Sequence, residues 1–257
     1  MEQVLIETKQ LTKRYGPNSV VKGLELEVRS GEIFGFLGPN GSGKTTTIKM
    51  LTGLLEPSEG EAFICGYDMR KQPTQAKALM AYVPDQPKLY DKLSAQEFLH
   101  LVAALYRVPK AVIADRTEQL LGMFGLGDRV DELLESYSHG MRQKVVLAAA
   151  LIHQPKVILL DEPTVGLDPA SARLLKDVLQ EMARQGAAIF VSTHILEIAE
   201  RMCHRVAILK DGRLIAQGSP DQLRQKMGHG EESLEDIFLE LTGGHENAEL
   251  INSLEEG

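Results

Sequence analysis

The sequence predicts an α/β fold: a mostly parallel β-sheet with helices on both faces, an antiparallel β layer near the N-terminus and an inserted helical segment. Three observations carry this prediction. Residues 33–37, 157–160 and 187–191 are apolar throughout, as in strands that are buried on both faces. A glycine-rich segment follows the first of these runs and leads into a helix. Between about residues 87 and 154 the apolar residues recur at helical spacing instead.

The antiparallel layer is predicted from a short alternating segment. Leu24, Leu26 and Val28 are each separated from the next by a charged residue. Because successive side chains of a strand point to opposite faces, this pattern indicates a strand with one face buried. Such half-buried strands are typical of antiparallel sheets.

The helical segment is predicted to begin its first long helix with a capping box, in which Ser94 stands three residues before Glu97. It looks like an insertion into the α/β core. We therefore expect a single domain over residues 1–220, with a core of about 1–86 and 155–220, a helical subdomain of about 87–154, and a short helical, acidic tail over 221–257.

A hairpin and a tail helix are predicted near the C-terminus. Residues 205–209 and 213–216 flank Asp211 and Gly212, a pair typical of two-residue hairpin turns. The tail then carries the apolar stripe of a short amphipathic helix, formed by Leu234, Ile237, Phe238 and Leu241. We expect this stripe to dock on its own domain rather than on a partner.

Composition limits the possible classes of protein. None of the apolar runs in the 257 residues approaches the roughly 18 needed to cross a bilayer, and the N-terminus lacks a secretory signal, so we expect a cytosolic chain. Cys65 and Cys203 stand far apart and predict neither a disulfide framework nor a zinc site. The net charge is −8, and residues 229–257 hold nine acidic side chains without Lys or Arg. This distribution argues against nucleic acid as a partner.

The glycine-rich segment has the spacing of a phosphate-binding loop, G-x-x-x-x-G-K-[ST], between a buried strand and a helix that we expect over residues 45 to about 55. Its glycines let backbone N–H groups converge on phosphate oxygens. Lys44 would reach the β and γ phosphates, and the Thr45 hydroxyl would bind Mg²⁺. The loop leaves kinases, GTPases and ATPases open. We predict that ATP is held by Gly38, Pro39, Asn40, Gly41, Ser42, Gly43, Lys44, Thr45 and Thr46.

Two adjacent carboxylates end the apolar run at residues 157–160. We expect Asp161 to hold the Mg²⁺ and Glu162 to orient and polarise the attacking water. A pair of acids at this place could instead cap a loop. The phosphate loop earlier in the chain favours the catalytic interpretation.

Residues 137–141, Tyr-Ser-His-Gly-Met, resemble the signature of ATP-binding cassette (ABC) proteins, usually Leu-Ser-Gly-Gly-Gln. Ser138 and Gly140 match the two positions that in this family touch the γ-phosphate of ATP held by the opposite subunit. His139 and Met141 depart from the common form, in a way that looks typical of drug, polysaccharide and lipid exporters. The resemblance implies a P-loop NTPase fold with a RecA-like mixed sheet.

The resemblance extends over nearly the whole chain. Tyr15 matches the aromatic residue on which adenine stacks, Asp168 belongs to the family's D-loop, and His194 matches the histidine that contacts the γ-phosphate. One position departs: where the family usually has Gln at the end of the strand entering the helical segment, this chain has Asp85 and then Gln86. Either could meet Mg²⁺ and the attacking water, and a carboxylate binds the cation more tightly than an amide does.

The resemblance also implies a mechanism. One chain carries one phosphate loop and one signature, so two cassettes would dimerise head to tail around two ATP molecules. Closure and hydrolysis would drive a separate membrane-spanning permease, and export is suggested by the signature and by the tail. We therefore expect a peripheral position on the inner face of the cell membrane.

Three alternatives stay open at this point. A soluble ABC ATPase would not be coupled to transport, and a regulatory nucleotide-binding module would not hydrolyse ATP, which Glu162 argues against. An unrelated P-loop kinase would not explain residues 137–141.

Overall fold

The computed structural model describes residues 3–86, 88–227 and 233–243. Its main sheet has six strands in the order β10-β9-β3-β8-β7-β6, and all neighbours are parallel except β9 and β10. This confirms the predicted α/β class. The strands are β3 (Ile33–Leu37), β6 (Met80–Val83), β7 (Val157–Asp161), β8 (Ala188–Ser192), β9 (Arg205–Lys210) and β10 (Arg213–Gly218).

The pleat of the main sheet divides its apolar side chains between two cores. On β3, Ile33 and Leu37 pack with the helical segment, whereas Phe34 and Phe36 pack against the N-terminal sheet. Strands β7, β8 and β9 alternate in the same way. Because both faces are covered, all five residues of β3 are buried, as their uniformly apolar sequence predicts.

The predicted antiparallel layer is a four-stranded sheet in the order β2-β1-β4-β5. Leu24, Leu26 and Val28 are buried and the charged residues between them are exposed, which confirms the alternation. Strands β4 and β5 were not among the predicted elements. The four strands are β1 (Val4–Tyr15), β2 (Asn18–Arg29), β4 (Glu59–Ile64) and β5 (Tyr67–Asp68).

Helices surround this framework. The predicted extent of the first helix is wrong at its end: α1 stops at Leu51 rather than near Leu55, because Gly53 adopts φ 65° and the chain turns there. The capping box at Ser94 and Glu97 is confirmed. The helices are α1 (Lys44–Leu51), α2 (Pro73–Ala78), α3 (Ala95–Leu105), α4 (Lys110–Met123), α5 (His139–Leu151), α6 (Pro169–Arg184), α7 (Leu196–Met202), α8 (Pro220–Met227) and α9 (Leu234–Thr242).

The C-terminal elements also follow the sequence. Asp211 and Gly212 both have positive φ, at 50° and 77°, and form the two-residue turn between β9 and β10. Helix α9 packs against α7 and α8 and buries Leu234 and Ile237, which confirms docking on its own chain. The acidic residues of the tail outside 233–243 lie outside the described residues.

Two further expectations concern cysteines and membrane spans. Cys65 is half-buried and Cys203 is buried, and both are free thiols. In the described part of the chain, no helix combines the length and the apolar character that crossing a bilayer requires.

Candidate active site

The glycine-rich loop runs from the end of β3 to the start of α1, and two of its glycines are required by close approach. A Cβ at Gly38 would lie 2.4 Å from the carbonyl oxygen of Leu209 and 2.5 Å from Ser42 Oγ. Gly43 has φ 107°, and a Cβ there would lie 2.7 Å from the Val20 carbonyl oxygen. The tip of the loop and Thr45 are exposed, and Thr46 is half-buried, so the loop opens to solvent.

Lys44 folds back onto this loop. Its Nζ donates hydrogen bonds to the carbonyl oxygens of Gly38, at 2.6 Å, and of Pro39, at 3.1 Å. Burial lowers the pKa of Lys44, and the nearby carboxylates of Glu162 and Asp161 oppose the shift. The ammonium group therefore lies against the loop and near the two acids at the end of β7.

Asp161 is the last residue of β7 and lies beside Ser192, the last residue of β8. Burial raises the pKa of its carboxyl group, while the nearby Thr45 and Ser192 hydroxyls act in the opposite direction. Its Oδ2 is buried and has no hydrogen-bond partner among the described residues. A buried oxygen left unpaired beside a threonine hydroxyl suits a divalent cation, so this pair fits a bound Mg²⁺.

Glu162 and His194 meet across two strands. The Glu162 Oε1 lies 2.8 Å from His194 Nδ1, and the His194 backbone N–H donates to Glu162 Oε2 at 3.4 Å. Glu162 has φ 49°, uncommon for a residue with a side chain, and its N–H bonds to the Ser192 carbonyl oxygen at 2.9 Å. This left-handed turn holds the carboxylate against the histidine, at the edge of the sheet where Asp161 also lies.

Asp85 belongs to the same edge. Burial raises the pKa of the Tyr82 phenol to about 12, and the charges of Asp161 and Asp85 add to the rise. Asp85 also raises the pKa of Asp161, so the three groups share one region. Asp85 and Gln86 are both exposed, and the Gln86 N–H donates to Asp85 Oδ1 at 2.8 Å. The charge of Asp85 therefore acts on Asp161 and Tyr82.

Tyr15 stands apart from these groups at the end of β1. It is the last residue of that strand, and 51% of its surface is exposed. Lys13 Nζ lies 5.4 Å from the ring centroid and leaves the ring available for a second planar group.

The signature residues begin α5. Ser138 caps this helix, and its Oγ accepts a hydrogen bond from the Met141 N–H at 3.3 Å. Gly140 faces Gly166, whose carbonyl oxygen would lie 2.8 Å from a Cβ at residue 140. The His139 ring packs over Gly166, since a Cβ there would lie 2.3 Å from its Cδ2.

Asp168 lies at the N-terminus of α6. It caps α6, accepting hydrogen bonds from the Ser171 N–H at 2.9 Å and the Ser171 hydroxyl at 2.5 Å. These bonds hold the pKa of Asp168 below its usual range, and Lys144, 3.3 Å away on α5, adds to the effect. The ion pair links the signature helix to the segment that carries Gly166.

The predicted residues thus form two groups. The loop residues 38–46 lie beside Asp161, Glu162, His194 and Asp85, whereas residues 138–141 lie beside 166–168. Within the described ranges, no hydrogen bond or ion pair joins 138–141 to 38–46.

Two residues at the first group were not predicted as site residues. Tyr82 approaches the acids from β6, and Ser192 accepts the Glu162 N–H through its backbone. Their sequence signal is weak: each only precedes a predicted residue by two or three positions.

Comparison with known proteins identifies the kind of site. The sequence profile of the ABC transporter family matches residues 21–165. The Nod factor export ATP-binding protein I of Cupriavidus metallidurans is 37% identical over 219 residues, which cover 85% of this chain and 72% of that protein.

Two solved structures have the same fold. The ATP-binding subunit of an ABC transporter superposes with a TM-score of 0.89 at 37% identity, over 92% of this chain and 99% of that one. A dimeric ATP-binding cassette in a post-hydrolysis state, bound to ADP and Pi, superposes with a TM-score of 0.77 at 27% identity, over 84% and 98%.

Proposed function

This ATPase belongs to the ABC transporter family as an ATP-binding subunit, and we propose that it powers export through a separate membrane-spanning permease. The observation that carries the proposal is the edge of the main sheet. There a buried lysine, two adjacent acids and a histidine from three different segments converge, with Glu162 and His194 2.8 Å apart.

The loop would hold the phosphates. Lys44 already donates to two carbonyl oxygens, and γ- and β-phosphate oxygens would replace these acceptors at similar reach. Thr45, Asp161 and Asp85 would hold Mg²⁺, which would neutralise charge on the phosphates. Tyr15 would stack on adenine, for which its exposed ring is suited.

Glu162 would act on the attacking water. The carboxylate orients the water and accepts its proton while the water oxygen bonds to the γ-phosphorus and the bond to the bridging oxygen breaks, which releases ADP and phosphate. His194 holds Glu162 through Nδ1, and because 59% of its side chain is exposed, the ring would be accessible to a γ-phosphate. Catalysis of this kind depends on position and charge, which the left-handed backbone at Glu162 supports.

A second cassette would complete the site. Ser138 and Gly140 lie beside 166–168 and, in the described part of the chain, make no polar contact with the loop, so we assign them to ATP on a partner copy. The Ser138 Oγ accepts one hydrogen bond as a cap, and its O–H remains able to donate to a phosphate. The dimeric relative supports this arrangement.

The helical segment would contact the permease. We propose that residues 87–154 form a subdomain that transmits the motion of Asp85 and its neighbours. Apolar side chains are exposed on it, at Tyr90 (65%), Leu101 (37%) and Leu105 (71%), as suits a protein-binding surface. Export, and a place on the cytoplasmic face of the membrane, are supported by the similarity to a subunit named for export.

Hydrolysis by the full chain and by Glu162→Gln tests the proposal. We expect the variant to lose about 10²–10⁴-fold in ATPase rate, because the base that takes the proton is absent. With ATP and Mg²⁺ it should form a dimer that sediments as such. Glu197→Gln, on the exposed face of α7, is the matched control and should hydrolyse ATP like the wild type.

Capture of membrane proteins by the Glu162→Gln chain in detergent addresses transport. A permease recovered with ATP supports the proposal. Glu162→Gln hydrolysing at the wild-type rate would remove Glu162 from the mechanism, and ATP-dependent dimers without any membrane protein would favour a soluble ATPase.

A further inference from the structure

Two segments of the helical region lie side by side between the two halves of the site. The chain that leaves Asp85 toward α3 pairs with the chain that enters the signature. Leu134 N–H donates to the Leu93 carbonyl oxygen at 2.9 Å, and Glu135 N–H donates to that of Asp91 at 3.1 Å. Ser94 and Leu133 form an isolated antiparallel bridge. Backbone hydrogen bonds thus connect the segment that follows Asp85 with the segment that precedes the signature.

Arg142 ties this pairing to the signature helix. It lies in the first turn of α5, where its N–H bonds to the Ser138 carbonyl oxygen at 2.9 Å. One guanidinium nitrogen donates to the Leu134 carbonyl oxygen at 2.9 Å, and another lies 2.7 Å from Asp91 Oδ1. The side chain is 22% exposed, so much of its charge is shielded from water.

We propose that Arg142 is a positioning residue, which fixes the signature turn relative to the segment leading from Asp85, so that Ser138 and Gly140 meet the partner's ATP. This inference rests on the proposed function. The planar guanidinium presents two donors in fixed directions, one toward Leu134 and one toward Asp91. A lysine has a single ammonium group and cannot reproduce both contacts in one geometry.

A neighbouring ion pair provides the contrast. Lys92 Nζ lies 2.6 Å from Glu135 Oε2, so it joins the same two segments, but neither residue belongs to α5. Lys92 is 81% exposed, and such surface pairs contribute little to stability. If the pairing of the two segments alone mattered, loss of Lys92 and loss of Arg142 would have similar effects.

The test uses the full chain with Arg142→Met, Arg142→Lys, Asp91→Asn and Lys92→Met. Two quantities separate position from binding: the affinity of the dilute chain for a fluorescent ATP analogue, and ATP-dependent dimerisation in the Glu162→Gln background. Arg142→Met should leave the affinity within about twofold while lowering kcat and the dimer association constant about tenfold, the effect of about 1.4 kcal/mol. Arg142→Lys and Asp91→Asn should show smaller losses of the same kind, and Lys92→Met none.

Several results would overturn the inference about Arg142, and another would refute the proposed function. Equal kcat and dimerisation in Arg142→Met and wild type would overturn the inference, as would a loss of equal size in Lys92→Met. If Arg142→Met unfolds, Arg142→Lys and Asp91→Asn give the same two readings, and unchanged dimerisation in both would overturn it. A Glu162→Gln chain with intact Arg142 that forms no dimer would instead refute the proposed function.

Discussion

The phosphate loop and the signature both lie at the N-terminus of a helix, yet the chain completes them differently. Helix α1 begins at Lys44 without any side-chain cap, and its preceding residue, Gly43, holds φ 107°. Helix α5 begins with a serine that caps it through Oγ. The first helix therefore leaves its N–H groups for an anion, and the second has already satisfied one of its own.

The difference indicates which half of the site depends on a partner. The loop has a buried cation, and within the described residues Ser42 Oγ of the loop and Asp161 Oδ2 beside it lack a hydrogen-bond partner, as in a ligand site. The signature has a hydroxyl proton to donate, but its neighbours in the described chain are Gly166 and Lys144's ion pair with Asp168. On the proposed function, it would contribute to ATP binding when a partner copy brings a phosphate to it.

Among the changes that compare the phosphate loop with the signature, the largest effect should follow from loss of Lys44. Lys44→Ala removes the cation that faces the phosphates, and we expect a fall of about 10²–10³-fold in ATPase rate together with weaker ATP binding. Steady-state hydrolysis and titration with a fluorescent ATP analogue measure both. Lys49→Ala, on the exposed side of the same helix, should resemble the wild type. ATP affinity unchanged in Lys44→Ala would mean that the loop does not hold the phosphates as proposed.

Substitution of Ser138 in the signature should have a smaller effect, on hydrolysis but not on ATP affinity. Ser138→Asp and Ser138→Asn both keep an oxygen that caps α5, so both should remain as stable as wild type. Only the Asp variant places a negative charge toward the partner's γ-phosphate. We expect it to lose about 10²-fold in hydrolysis, with Asn in between and ATP affinity of the dilute chain unchanged in both.

Steady-state hydrolysis by the two Ser138 variants, together with their thermal unfolding and their sedimentation in the Glu162→Gln background, checks this. Equal dimerisation by the Asp and Asn variants would show that no phosphate approaches Ser138, and the distinction between the two halves of the site would then fail.

The two halves also differ in how far the sequence predicts them. The loop is predictable because its glycine, lysine and threonine spacing, and its place between an apolar run and a helix, are visible in consecutive residues. The signature has no such local constraint, since a serine that opens a helix is common, and it was identified only by resemblance. Its contact with Gly166 depends on residues far apart in the chain.

Other features of the structure are not visible in the sequence, for reasons that differ from one feature to the next. Glu162 and His194 are 32 positions apart, and nothing in the sequence indicates the φ of 49° that brings them together. Strands β4 and β5 are short or only partly buried, so they lack a clear apolar alternation. Helix α1 was predicted four residues too long because the apolar spacing continues to Leu55, whereas Gly53 already turns the chain.

The smallest effect concerns His153, which follows the C-terminal end of α5. His153 stacks on Tyr106, at the end of α3, with ring centroids 3.7 Å apart and an interplanar angle of 18°. Its Nε2 lies 3.1 Å from the carbonyl oxygen of Met80, the first residue of β6. This ring therefore links the helices that carry the signature to the sheet that carries the phosphate loop.

Burial lowers the pKa of His153 to about 4, so the folded chain holds the ring neutral. In the unfolded chain the histidine has a pKa near 6.5 and binds a proton more readily. The neutral ring therefore contributes its full share to the free energy of unfolding above about pH 6.5, and this share falls as the pH drops toward 4. Because solvent reaches part of the ring, we expect the free energy of unfolding to fall by about 1 kcal/mol at pH 5 from this group. His153→Phe keeps the stacking and removes the titration, so urea unfolding at pH 7.5 and pH 5 should show a shallower pH dependence in the variant. Identical pH dependence in the two proteins would mean that the ring is solvated and does not fasten α5 to the sheet.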